Sequence, residues 1–136
     1  MNPHFAEMFD AARAQRNAGN HDEAERGYAA AADQARREEE PLALAHALRH
    51  VSDLVRERGA AAEALSCATE AVAIYRSQGD CRPLDLANAL RLNALALNDS
   101  GRPDEAEPLW KEARDLYASV GVQAGVDEAA SQLART

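Results

Sequence analysis

The sequence of 136 residues contains few aromatic residues and almost no lysine. Aromatic residues make up 4% of the chain, whereas hydrophobic residues as a whole make up 46%. A core built mainly from alanine, leucine and valine is therefore expected, and a composition of this kind favours helices. Lys111 is the single lysine, so arginine supplies nearly all the positive charge. The length fits one all-α domain over residues 1–136.

Positive charge is also scarce overall, because the formal net charge is −8. Nucleic acids and anionic membranes attract basic surfaces, so we expect neither as a partner. No apolar stretch approaches the roughly 20 residues of a membrane-spanning helix. The first residues lack the basic and apolar segments of a secretory leader. We therefore expect a cytoplasmic protein.

Residues that could carry chemistry are few. Cys67 and Cys81 are too few for a disulfide framework, and their spacing matches no metal motif. His46, His50 and Asp53 share one helical face, but a zinc site needs a fourth ligand and supporting groups. No nucleophile–base motif and no glycine-rich phosphate loop is present. We expect no metal, no cofactor and no catalytic residue, so the chain is not expected to be an enzyme.

Three segments of the chain repeat one pattern of small residues, which indicates a repeat architecture. In each segment an alanine follows a glycine by five positions, and another alanine follows seven positions later. The three sets are Gly19, Ala24 and Ala31; Gly59, Ala64 and Ala71; and Gly101, Ala106 and Ala113. The glycines lie 40 and then 42 residues apart. Each glycine suits the left-handed position just beyond the end of a helix.

The same pattern predicts where helices begin. Pro41 and Pro83 are expected in the first turn of a helix, where proline is tolerated. Asn20 and Glu23 have the spacing of a capping box. Apolar spacing with a period of 3.6 predicts seven helices. Their predicted bounds are 3–18, 22–38, 41–58, 61–77, 83–99, 103–119 and 123–134. We expect three hairpins, over about residues 3–38, 41–77 and 83–119, and a capping helix within 122–135.

Small residues occupy the positions where the two helices of each hairpin are expected to cross. They are Ala12, Ser52 and Ala94 on the first helices, and Ala24, Ala64 and Ala106 on the second. Large residues near the start of the first helices are Met8, Leu48 and Leu90. Over about residues 5–120 this pattern resembles the tetratricopeptide repeat family, in its long-repeat subgroup. The resemblance implies an α-α superhelix of three hairpins, whose first helices line a concave groove.

The resemblance also implies which residues face that groove. They are Phe9, Arg13, Arg16, Asn17, His46, Arg49, Asp53, Arg56, Asn88, Arg91, Leu95 and Asn98. Five of them are arginines and one is acidic, so the groove is expected to be locally arginine-rich and to attract the opposite charge. The implied function is a protein–protein interaction module or adaptor. Its expected partner is another protein or a peptide, acidic or C-terminal.

A second hypothesis is a self-associating structural protein that oligomerises through its repeat ends. Repeat arrays have open ends that must be capped or paired. Phe5, Met8 and Phe9 make the N-terminal end the less protected one, whereas the last helix has the polar residues of a cap. On this reading the partner is a second copy of the chain, for example in a homodimer.

Overall fold

The computed structural model describes residues 2–135, and this range folds into seven helices with no strand. The helices are α1 Pro3–Asn17, α2 His21–Arg37, α3 Pro41–Glu57, α4 Ala61–Ser77, α5 Pro83–Asp99, α6 Pro103–Ser119 and α7 Gln123–Ala134. Every predicted helix is present, with bounds that agree to within one residue. The all-α prediction is therefore confirmed.

The helices pack in the order in which they follow one another along the chain. Each helix contacts the next, and α3 also contacts α5. We call α1, α3, α5 and α7 the first helices, and α2, α4 and α6 the second helices. Packing in chain order is typical of a helical repeat array, in which each repeat contacts only its neighbours. No helix within residues 2–135 has the length and apolar character needed to cross a membrane.

Glycines end three of the helices as the sequence predicts. Gly19, Gly59 and Gly101 have φ angles of +85°, +88° and +73°, where a residue with a side chain is strained. The predicted capping box was wrong. Asn20 donates its backbone N–H to the carbonyl of Gln15 and its side-chain amide to Gln15 Oε1, each at 2.8 Å. Both groups of Asn20 thus close the turn after α1, so its side chain does not cap α2.

The small residues lie where the helices of a hairpin meet. Ala24, Ala64 and Ala106 are fully buried. The buried hydroxyl of Ser52 donates to the carbonyl of Ala64 at 2.8 Å, which satisfies it and ties α3 to α4. The repeat register taken from the sequence therefore agrees with the burial of these positions, since small residues permit close approach of two helices.

Both ends of the array are covered among the described residues. Phe5 and Phe9 are buried and Met8 is partly buried, so the N-terminal end is more protected than the sequence predicted. The reason is that Phe9 packs against Tyr28 of α2 and His46 of α3, with ring centroids 6.2 and 4.3 Å away. At the other end α7 packs on α6, and its Ala129 is buried.

Candidate functional site

Arginines link each first helix to the next one along the array. Arg16 of α1 contacts Asp53 of α3 at 2.8 Å and Glu57 of α3 at 2.7 Å. Arg56 of α3 contacts Asp99 of α5 at 2.7 Å. These side chains stay partly exposed, with 25% of Arg16 and 28% of Arg56 accessible. They form a polar surface that runs across three helices.

Arg49 of α3 has a different environment, because it is 8% exposed and therefore buried. Its Nη1 lies 3.3 Å from the backbone oxygen and 3.4 Å from Oδ1 of Asp85 in α5. Its Nη2 lies 3.2 Å from Nδ1 of His46, and its guanidinium lies 5.8 Å from the ring centre of Tyr75. Asp85 also binds Arg82 through both carboxylate oxygens at 3.1 Å. Arg49 thus joins α3, α4 and α5 from the inside.

Polar side chains also link α5 to α7. Arg91 binds both carboxylate oxygens of Glu128, one of them at 3.1 Å. Asn98 donates to Oε1 of Gln132 at 3.2 Å. We call the surface formed by Arg16, Asp53, Arg56, Arg91, Asn98 and the side chains that pair with them the first-helix face. It contains the candidate site.

The first-helix face is not the basic groove that the sequence predicted. The arginines predicted for the second and third repeats each have a carboxylate on the following first helix, supplied by Asp85, Asp99 and Glu128. These acids were missed because only the helical positions that the resemblance assigns to the groove were considered, and the three acids lie at other positions. The separations of 36 and 37 residues in two of the pairs are close to the repeat length. That spacing is the signal that could have found them.

The predicted groove residues differ in how accessible they are. Phe9, Arg49 and Leu95 are buried. Phe9 is covered by the rings of Tyr28 and His46, so its predicted accessibility to a ligand was wrong. Arg49 and Leu95 still border clefts on this side of the array. Arg13 and Asn17 are exposed, and Arg13 pairs within its own helix with Asp10 at 2.8 Å. The first-helix face therefore excludes part of the predicted set.

Asn88 is held in place by the second helix of its own hairpin. It is partly buried, and its Oδ1 accepts a hydrogen bond from the hydroxyl of Tyr117 at 2.7 Å. Asn88 also borders a cleft beside Asp53 and Arg91. It is therefore a polar side chain held in place at the candidate site.

The histidines of α3 are packed among aromatic rings. The His46 ring lies 4.7 Å from that of His50, and the His50 ring lies 4.5 Å from that of Tyr28. Burial, followed by the charge of Arg49, lowers the pKa of His46 to about 4. Burial, followed by the proximity of His46, lowers the pKa of His50 to about 3. Residues 2–135 contain no group of three or more side chains placed to hold a metal ion.

Two clefts follow one another along the seam between α3 and α5. The first, of about 150 Å³, lies beside the middle of the two helices and is bordered by His50, Asp53, Asn88 and Arg91. The second, of about 420 Å³, lies towards their C-terminal ends. Its polar lining extends beyond α3 and α5 to α6 and the C-terminal end of α7, and consists of Arg56, Asn98, Asp99, Asp104, Gln132 and Arg135. Both clefts therefore offer hydrogen-bond donors and acceptors.

Comparison with known proteins identifies the fold. No protein-family model and no curated protein sequence matches the chain. The crystal structure of BtubC (BKLC) from P. vanneervenii matches it with a TM-score of 0.77 and 17% sequence identity. The chain is a helical repeat protein. The match covers 89% of this helical repeat protein and 49% of BtubC, so the chain spans about half of BtubC. At this identity the likeness concerns the fold alone.

Proposed function

We propose that this helical repeat protein is a tetratricopeptide-like interaction module that binds a partner polypeptide on its first-helix face. The spacing of small residues and of glycine turns supports the family assignment. The likeness to BtubC supports the helical repeat fold. Helical repeat folds commonly serve as interaction scaffolds, because stacking of the repeats creates an extended surface. In this reading the protein holds a partner and catalyses no reaction.

The observation that carries the proposal is the pair of clefts along the seam between α3 and α5. Leu92 and Leu95 are buried beside them, so each cleft combines an apolar wall with a polar rim. Binding sites typically combine apolar contact with a few placed polar groups. A polypeptide backbone presents donors and acceptors in alternation, which matches amide groups such as those of Asn88 and Asn98.

The pairing of the arginines bears on the chemistry of the partner. An acidic or C-terminal segment would have to compete with Asp99 for Arg56 and with Glu128 for Arg91. A segment that offers both signs of charge, or neutral hydrogen-bonding groups, can add to these pairs without breaking them. We therefore propose a partner segment of mixed polarity in preference to an acidic one.

Self-association through the repeat ends has less support. Within residues 2–135 the large hydrophobic side chains that remain exposed are Leu42, at 37%, and Val120, at 41%. Phe5 and Phe9, which motivated that hypothesis, are buried. Stable interfaces between copies usually have an apolar centre. Light scattering would test this alternative, and a stable dimer would support it.

Site-specific crosslinking in the cells of origin would test the proposed function. A photoreactive amino acid would replace Asn17 or Asn98 on the first helices, or Thr69 or Asp115 on exposed positions of α4 and α6. We expect Asn98, and Asn17 if the partner extends that far, to yield a crosslinked polypeptide of defined mass. Capture from Thr69 or Asp115 alone, or from no position, would contradict the proposal.

A further inference from the structure

A separate cleft of about 580 Å³ lies between the start of α3, the end of α4 and the connection to α5. Its volume falls in the range of about 300–1,000 Å³ that is typical of small-molecule sites. Leu42, Ala43, Tyr75 and Cys81 supply apolar and sulfur surface. The connection between α4 and α5 has five residues, 78–82, whereas the connections 38–40 and 120–122 have three. The longer connection forms one wall of this cleft.

Tyr75 borders the cleft with a hydroxyl that lacks a partner. The residue is 2% exposed and its hydroxyl forms no hydrogen bond within residues 2–135, but the oxygen itself is not enclosed and keeps access to solvent at the cleft. Tyr117 holds the corresponding position one repeat later, and its hydroxyl donates to Asn88 at 2.7 Å. In the middle repeat His46 replaces that asparagine, and its Nδ1 lies next to Arg49. A tyrosine hydroxyl that reaches a cleft without a protein partner can bind water or a polar group of a ligand.

The rim of the cleft is negative. Asp85 is shared by Arg49 and Arg82, and Arg82 also borders the cleft, so these three side chains together carry a net charge of +1. Glu40 and Asp80 also border the cleft, and neither forms an ion pair within the described part of the chain. Burial, followed by the negative charges of Asp85 and Asp80, raises the pKa of the Cys81 thiol. Together with Glu40 and Asp80 the charged groups at the cleft sum to −1, and the side of the rim formed by these two carboxylates favours a cation.

We propose that this cleft binds a small organic cation that carries an aromatic or branched apolar group. The apolar group would pack against Leu42 and Tyr75, and the ammonium group would face Asp80 and Glu40. The Tyr75 hydroxyl would accept a hydrogen bond from the ammonium group. This site does not depend on a partner bound at the first-helix face.

The test compares two probes with the same ring and opposite charge, tryptamine and indole-3-propionate. The readout is the alkylation rate of Cys81 by N-ethylmaleimide, measured by peptide mass spectrometry. Cys67 of α4 is outside the cleft and serves as the internal reference. Saturating tryptamine should slow the reaction of Cys81 at least about fivefold and leave Cys67 unchanged, because a ligand in such a cleft excludes the reagent. Indole-3-propionate should give no protection.

Variants of the cleft separate the contributions of charge and hydroxyl. By calorimetry, the double variant Glu40→Gln, Asp80→Asn should weaken tryptamine binding about tenfold or more, as expected for charged hydrogen bonds. Tyr75→Phe should weaken it about three- to tenfold. Tyr117→Phe is the matched control and should leave the affinity unchanged. Melting curves would verify that each variant is folded.

Three results would overturn the proposal. The first is the absence of saturable protection of Cys81 by tryptamine. The second is equal protection by indole-3-propionate, which would show that charge does not select the ligand. The third is protection by a lysine-containing peptide but not by free tryptamine, which would identify the occupant as a basic side chain of a partner protein.

Discussion

The imidazole of His50 lies almost parallel to the ring of Tyr28, with centroids 4.5 Å apart and an angle of 10° between the planes. His46 packs between His50 and Phe9, at centroid distances of 4.7 and 4.3 Å. The rings of α3 thus form the contact with α1 and α2. A neutral imidazole suits this apolar stack, whereas a protonated one loses its hydration there.

This stack predicts that acid destabilises the fold. In the folded protein the pKa is lowered from 6.5 to about 4 for His46 and to about 3 for His50. Between pH 6.5 and the folded pKa of each histidine, the unfolded chain therefore binds more protons than the folded protein. The stabilisation is complete above about pH 6.5 and decreases as the pH falls towards 4. From pH 6.5 to 5 the free energy of unfolding should decrease by up to about 2 kcal/mol per histidine, less the effect of residual exposure.

The charged neighbours of the two rings also lower the pKa values of His46 and His50. Arg49, Arg13 and Arg16 disfavour protonation, whereas Asp53 and Asp85 oppose them only in part. Urea unfolding at pH 7 and pH 5 would measure the effect. The double variant His46→Gln, His50→Gln should lose most of the pH dependence. The matched variant His4→Gln, His21→Gln, at exposed positions, should keep it. An unchanged pH dependence in the first variant would show that the stack does not control acid stability.

Substitution at the middle crossing of two helices should be strongly destabilising. Ala64 is fully buried, and its carbonyl accepts the Ser52 hydroxyl at 2.8 Å. Ala64→Leu should therefore lower the free energy of unfolding by about 1–3 kcal/mol or more, because the larger side chain forces the helices apart. Ala62→Leu, at an exposed position of the same helix, is the control. Equal melting temperatures for the two variants would mean that the repeat register is wrong.

The two arginines at corresponding positions of α3 and α5 should differ in their effect on stability. Arg49 is buried among His46, Tyr75 and Asp85, so Arg49→Met should cost about 1–3 kcal/mol. The side chain of Arg91 is 35% exposed, and Arg91→Met should cost less than about 1 kcal/mol. Thermal unfolding would measure the stability loss of each variant. A larger loss for Arg91→Met than for Arg49→Met would contradict the buried environment described for Arg49.

Gly125 is required for α7 to pack on α6. A Cβ atom at this position would overlap the ring of Tyr117, whereas a Cβ at Gly79 would meet no atom within 4 Å. Gly125→Ala should therefore lower the melting temperature and speed hydrogen exchange in α7, because overpacking costs about 1–3 kcal/mol. Gly79→Ala should leave both unchanged. Tolerance of Gly125→Ala would show that the contact between α7 and Tyr117 is not tight.

The helices and their close crossings could be predicted from the sequence because they depend on local patterns. A glycine after each helix and alanines in fixed register determine the bounds and the packed positions. The pairing of Arg91 with Glu128 was missed, because its separation of 37 residues becomes a signal only when residues one repeat apart are compared across helices. Likewise, His46 and His50 were placed on one face, but only the structure shows that Phe9 and Tyr28 cover that face.

The cleft beside Tyr75 had almost no signal in the sequence. The spacing of 42 residues between Gly59 and Gly101, against 40 between Gly19 and Gly59, marks the longer connection. This difference in spacing does not predict a cleft, because the space beside the longer connection depends on how α5 packs against α3.

The affinity of the crosslinked partner for three forms of the protein tests the proposed function most directly. The forms are the wild type, Asn98→Trp, which fills the larger cleft of the seam, and Thr69→Trp on the exposed side of α4. Blocking the cleft acts through steric exclusion, so it works whatever the charge of the partner. With all three shown to be folded by their melting curves, calorimetry should find binding to Asn98→Trp weakened about tenfold or more, and binding to Thr69→Trp unchanged. Unchanged affinity for Asn98→Trp together with weakened binding to Thr69→Trp would contradict binding at the first-helix face.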